Sequence, residues 1–155
     1  MIGQFQDVES IVAFKDLLNR LNCDNLDVRS SAPNMSADLR SSYLMNSMVT
    51  GIDETDCLIL VGCNPKSECP VLNARIRKAI MVNGLEVSVI GSANNHGYNY
   101  RHLGNSAQTL KELAEGTHPY SEKLAEAQLP MVIVGSETLA RSDGGSIMNY
   151  INQLA

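Results

Sequence analysis

Apolar positions along this chain follow two rhythms. Three short runs, "CLILVG" at 57–62, "EVSVIG" at 86–91 and "PMVIVG" at 130–135, are nearly unbroken, rich in β-branched residues and closed by a glycine. A strand with one wet face alternates, whereas a strand covered on both faces does not have to, so these three predict parallel strands at the centre of an α/β sheet. Elsewhere the period is helical. "QDVESIVAFKDLLNRL" (6–21) places Val8, Ile11, Val12, Leu17, Leu18 and Leu21 on one face and charges on the other, and predicts a helix.

Between the first two runs, "CPVLNARIRKAIMVNG" sets Leu72, Ile76, Ala79 and Ile80 at helical spacing, with Pro70 at the first turn and Gly84 at the stop. Strand, helix and parallel strand make one crossover unit. After the second strand a polar loop leads to a helix expected from Ala107 to Glu115, with Ser106 as its cap and Gly116 as its end. A shorter helix is expected after Pro119, reaching Gln128. A final amphipathic helix carries Ile147, Ile151 and Leu154, with Asp143 as its cap. The stretch "NCDNLDVRSSAPNMSADLRSS" (22–42) is polar and aperiodic and reads as a long loop, followed by a weak helix around Tyr43 to Val49. The pattern gives a fold class: α/β, a Rossmann-like three-layer unit with a short parallel sheet, preceded by an N-terminal helix and a long loop. Residues 1–155 are expected to form one domain, with 1–50 a helical and loop extension and 51–155 the βαβ core.

Composition narrows the functions available. The chain is 44% hydrophobic and 19% charged, with a net charge of -5, which suits a globular domain. Its basic residues cluster only at Arg75, Arg77 and Lys78, too few for a nucleic-acid footprint. No apolar run reaches the roughly 18 residues of a membrane span, and the opening "MIGQFQDVES" has neither a signal peptide's apolar region nor a transit peptide's arginines. An organelle address is therefore expected to be missing, removed or unnecessary. Four cysteines in a chain able to build a core without staples suggest a reducing compartment.

Candidate chemistry gathers at the strand ends. "VGCN", "IGSAN" and "VGSET" repeat one idea, a buried strand that stops on glycine and runs into small polar residues. Ligands of open α/β sheets bind beyond the carboxyl ends of the strands, so Gly62, Asn64, Gly91 and Gly135 are the residues that would line a pocket. Gly62 and the helix after it also suit an anion. Yet the chain has no GxGxxG and no GxxxxGKS/T, so nucleotide binding lacks its fingerprint, and a plain strand-to-helix turn stands beside it as the simpler reading. Cys57, Cys63 and Cys69 are separated by five-residue gaps, which do not match zinc or iron-sulfur spacing. His96, His102 and His118 fall in expected loops, and no nucleophile elbow accompanies them. No catalytic and no metal-binding residue is assigned.

Three stretches go further. "GQFQDVESIVAFKDLLNRL", "ETDCLILVGCNPKSECPVLNARIRKA" and "LGNSAQTLKELAEGTHPYSEKLAEAQLPMVIVGSETLARSDGGSI" resemble, in this order, the carboxyl-terminal region of the large iron-sulfur (75 kDa) subunit family of respiratory complex I. "NARIRK", "GTHPYS" and "ARSDGG" point to its mitochondrial and alphaproteobacterial branch. That region is itself molybdopterin oxidoreductase-like, a fold in which loops such as "VGCNP" hold a bis-guanine-dinucleotide cofactor and which persists in the complex I subunit without molybdenum.

The resemblance implies a structural, non-catalytic part of the subunit, supporting electron transfer from NADH to ubiquinone in the peripheral arm, on the matrix side of the mitochondrial inner membrane. It implies no cofactor in this chain, with iron-sulfur clusters in a partner chain or in an amino-terminal region that the chain lacks. Other peripheral-arm subunits would be its partners, above all the iron-sulfur-binding part of the same subunit. Gly62, Asn64, Gly91 and Gly135 would then mark a vestigial pocket. The alternative is a molybdopterin or nucleotide cofactor-binding domain of an oxidoreductase, and a third reading is a free-standing small-molecule binder.

Overall fold

A computed structural model describes residues 3, 6–26, 38, 40 and 43–154, which belong to two compact units, 1–32 and 33–155. In the first unit, helix α1 (Val8–Arg20) starts at Asp7, whose carboxylate accepts the Ser10 amide at 3.3 Å. That bond holds the Asp7 carboxyl below its ordinary range. The helix face differs from the one expected. Ile11, Phe14 and Leu18 are its half-buried residues, while Val8, Val12, Leu17 and Leu21 are exposed. At 100° per residue, 11, 14 and 18 form one stripe and Leu17 lies about 60° beyond its Phe14 edge and about 100° from Leu18. Much of the expected 22–42 loop lies outside the described residues.

The second unit contains a four-stranded, wholly parallel sheet in the order β3-β2-β1-β4. Strands β1 (Cys57–Val61), β2 (Glu86–Ile90) and β4 (Pro130–Val134) are the three apolar runs. Strand β3 (Arg101–Gly104) was not foreseen, because "RHLG" is short and polar and falls inside the expected loop. It pairs with β2 through an irregular register at Val89/Ile90.

Alternation along β1 divides the core between two layers. Cys57, Ile59 and Val61 face Leu110 and Leu113 of α4 (Ala107–Ala114), Tyr120, and Ile147 and Ile151 of α7 (Gly144–Leu154). Leu58 and Leu60 face Ile76 and Ala79 of α3 (Pro70–Asn83), together with Ile52. All five β1 residues are buried. The arrangement is the expected Rossmann-like α/β unit with helices on both sides of a parallel sheet.

Helix α3 begins at Pro70 and stops at Gly84, whose φ of +72° is the left-handed cap that glycine permits. Two short helices, α2 (Pro65–Glu68) and α6 (Ser136–Leu139), sit directly after β1 and β4. The weak helix expected around Tyr43 to Val49 is replaced by turns and a 3-10 helix, Val49–Asp53, with Met48 at φ +55° interrupting any α-helical run. Helix α5 (Ser121–Glu126) follows Pro119. Ser106 precedes α4 as expected but makes no side-chain cap bond. The Asp143 carboxylate turns instead to Arg141, at 2.7 and 2.9 Å, while its carbonyl accepts the Ile147 amide of α7.

Candidate functional site

The parallel sheet brings the ends of β1, β2 and β4 to one edge, and three of the glycines meet there. Each continues the ladder by one bond: Gly62 N–H to Ile90 O at 2.8 Å, Gly91 N–H to Gly104 O at 2.8 Å, and Gly135 N–H to Val61 O at 2.9 Å. They touch as bare backbone. A Cβ on Gly135 would strike the Gly62 carbonyl and stand 3.2 Å from Cys63 Cβ, and one on Gly91 would stand 3.3 Å from Gly62 Cα. Gly62 itself has φ +57°, and a Cβ there would strike the Thr138 side chain. Glycine is required here so that three strand ends can close on one another.

Thr138 of α6 donates to the Gly62 carbonyl at 3.1 Å. Cys63 packs with the α3 layer and donates through sulfur to Ile133 O at 3.8 Å. Burial, with Glu68 adding, pushes the Cys63 thiol up to about 12, so it stays protonated and is a poor nucleophile or ligand. Cys57 lies in the opposite layer, with its sulfur 3.4 Å from the Tyr120 hydroxyl. The sheet therefore separates these two cysteines. Among the described residues no group of three or more His, Cys, Asp or Glu side chains is placed to hold a metal ion.

What remains beside Gly62 is a cavity of about 140 Å³, lined by Gly62, Cys63, Asn64, Glu68, Gly91 and Asn94 among others. Of the four residues singled out from the sequence, Gly62, Asn64 and Gly91 line it. Gly135 does not, because its backbone is spent on closing against Gly62. Ligand pockets run to about 300–1,000 Å³, so the cavity is below the size of a nucleotide.

Glu68 is the residue that sequence reasoning missed. Its carboxylate accepts the Asn64 amide at 2.6 Å, at the point where the chain leaves β1 and enters α2. Free amides at such a turn are what a phosphate would seek. Here a built-in anion has taken the amide, and a phosphate arriving beside it meets like charge. A guanine-dinucleotide phosphate at this turn would have to displace Glu68 from the Asn64 amide. The signal was available as "NPKSE", an Asn followed at i+4 by a Glu able to reach back, much as capping-box residues do.

The histidines occupy three unlike places. His102 is on β3, its Nε2 2.7 Å from Gly91 O, which ties the β3 edge to the end of β2. His118 accepts the Tyr120 amide through Nδ1 at 3.1 Å. His96 lies in the loop after β2, as expected, but is buried there. It is 1% exposed, stacked on Tyr98 with ring centroids 5.8 Å apart and edge-on to Tyr100 at 4.9 Å. Burial, and after it the Lys66 charge, lowers its proton affinity.

A family model for molybdopterin oxidoreductases matches residues 1–155. Among curated proteins, the mitochondrial NADH dehydrogenase (ubiquinone) iron-sulfur protein 1 of Solanum tuberosum is 37% identical over 153 residues, covering 99% of this chain and 21% of that protein. The NADH-ubiquinone oxidoreductase 75 kDa subunit of Reclinomonas americana is 37% identical over 167 residues, covering 99% of this chain and 24% of that protein. The mitochondrial 78 kDa subunit of Neurospora crassa is 39% identical over 155 residues, covering 97% of this chain and 21% of that protein. The chain thus spans less than a quarter of the length of these relatives.

Proposed function

The chain belongs to the molybdopterin oxidoreductase family, and from that premise we propose that it is a structural, non-catalytic part of the large iron-sulfur subunit of respiratory complex I. In this role it supports electron transfer from NADH to ubiquinone in the peripheral arm, on the matrix side of the mitochondrial inner membrane. The names of its relatives support the complex and the organelle. The observation that carries the non-catalytic part is the Glu68 carboxylate on the Asn64 amide. Glu68 occupies the amide that a cofactor phosphate would take, so the molybdopterin or nucleotide-binding alternative is not favoured.

On this reading the chain carries no electrons. Its two helical layers are scaffold, and the iron-sulfur clusters belong to the iron-sulfur-binding part of the same subunit, its foremost partner. No helix among the described residues is long and apolar enough to cross a membrane.

Purification of the native assembly through a tag on this chain tests the proposal. The expected result is co-purification of NADH-oxidising, iron-sulfur-containing subunits, with neither molybdenum, tungsten nor a pterin released on denaturation. Recovery of a pterin nucleotide, or an assembly without NADH-oxidising activity, would overturn it.

A further inference from the structure

The two edges of the sheet are built differently. Strand β3 is finished as an edge: it is four residues long, shows the exposed Arg101 and His102, and joins β2 through an irregular register. Charge, brevity and bulging are how proteins keep an edge from recruiting another strand. Strand β4 has none of these. Met131, Val132, Ile133 and Val134 are uninterrupted and apolar, with Val132 and Val134 packed on one core layer and Met131 and Ile133 on the other. It has the sequence of a central strand, yet all four residues are only half-buried, where the β1 residues beside them are fully buried.

Among the described residues β4 pairs with β1 alone. Gly135 N–H points to Val61 O, so alternation turns the Val132 and Val134 amides away from β1, toward the open side. The order β3-β2-β1-β4 is also the first four positions of the 3-2-1-4-5-6 order of doubly wound sheets, whose next member lies beside strand 4.

We infer that the outer edge of β4 is an interaction surface that takes a fifth, parallel, apolar strand from the remainder of the large iron-sulfur subunit. The relatives carry more than three quarters of their length outside the matched region, which is the source of that strand. The occupant's identity rests on the proposed function. The need for an occupant rests on β4.

Hydrogen exchange in the native assembly and in the isolated 155-residue chain tests the inference. The Val132 and Val134 amides should exchange at least about tenfold more slowly in the assembly, as newly bonded amides do, and cross-links from this edge should lead to an extended segment of the large subunit. Two variants give an independent reading. Val132→Ala and Val132→Pro both lose the Val132 side chain from its core layer, but only the proline also removes the outward amide, which an edge strand tolerates, so their urea midpoints in the isolated chain should be similar while incorporation of Val132→Pro falls about tenfold or more below that of Val132→Ala.

Equal exchange in both states, or incorporation of Val132→Pro equal to that of Val132→Ala, would overturn the inference. So would β4-to-β4 pairing of two copies. Cross-links to a different complex I subunit would refute this occupant while leaving the proposed function standing, and an assembly without NADH-oxidising subunits would remove both.

Discussion

Gly62 holds the strand ends together, and replacing it with alanine gives a calculable result. A residue with a Cβ pays about 1–2 kcal/mol to adopt a left-handed backbone, and Gly62 has φ +57°. The new methyl would also strike the Thr138 hydroxyl and stand 3.1 and 3.3 Å from its Cβ and Cγ2. Thr138 must rotate away, which gives up its 3.1 Å bond to the Gly62 carbonyl, a loss of about 0.5–1 kcal/mol. Gly62→Ala should therefore destabilise by about 1.5–3 kcal/mol in urea denaturation followed by circular dichroism. Thr138→Ala alone loses only the bond, about 0.5–1 kcal/mol. Because both single variants forfeit the same bond, the double variant should be no less stable than Gly62→Ala, a coupling of about 0.5–1 kcal/mol. Strict additivity, or a cost for Gly62→Ala below about 0.5 kcal/mol, would refute the geometry of the closed turn.

Three other outcomes follow from the site. Glu68→Ala frees the Asn64 amide and removes the like charge, so inorganic phosphate titrated by NMR should perturb the Asn64 amide in the variant and not in the parent chain; equal response in both would refute exclusion by Glu68. Burial lowers the proton affinity of folded His96, whereas in the unfolded chain the side chain takes up its proton near pH 6.5, so the His96 contribution to stability should be complete above about pH 6.5 and fall below it, by at most about 1.4 kcal/mol per pH unit, until the folded side chain is protonated too. A His96→Phe variant should lose that part of the pH dependence in urea midpoints measured from pH 7.5 to 5. A thiol reagent at pH 8 should label exposed Cys69 promptly and leave Cys63 unlabelled until the fold opens, since its thiol lies at about 12; mass spectrometry of the labelled peptides reads both.

The parts of the fold legible in the sequence were those set by burial on both faces. Runs such as "CLILV" leave little choice, and three of the four strands and the boundaries of α3 follow from apolar runs, Pro70 and Gly84. Strand β3 escaped because an edge strand selected against aggregation looks polar, so the features that finish the edge hide the element. The α1 face was misread at Leu17, where an apolar residue does not mark the buried side. At the strand ends, glycine spacing placed Gly62, Gly91 and Gly135 along one edge of the sheet, but not their meeting there nor that Gly135 spends its backbone on closure. That distinction lies in φ, ψ and register, which a residue letter does not carry. The burial of His96 escaped for a related reason: it depends on Tyr98 and Tyr100 packing against it, within an expected loop that has no periodicity.

Closure and charge at the Gly62 turn act together. A bare-backbone meeting of three strand ends is the geometry that lets a ligand approach a parallel sheet, and it equally lets the strands approach one another when no ligand intervenes. The choice between these uses falls to the neighbouring side chains. Thr138 reaches over from α6 to hold the Gly62 carbonyl, and Glu68 reaches back from α2 to hold the Asn64 amide. Each satisfies a backbone group that a bound phosphate or sugar would otherwise have engaged, one acceptor and one donor. A turn with both groups already bonded gains little from a ligand and must break internal contacts to admit one. The same residues thus tie the end of β1, the start of α2 and α6 beyond β4 into one joint.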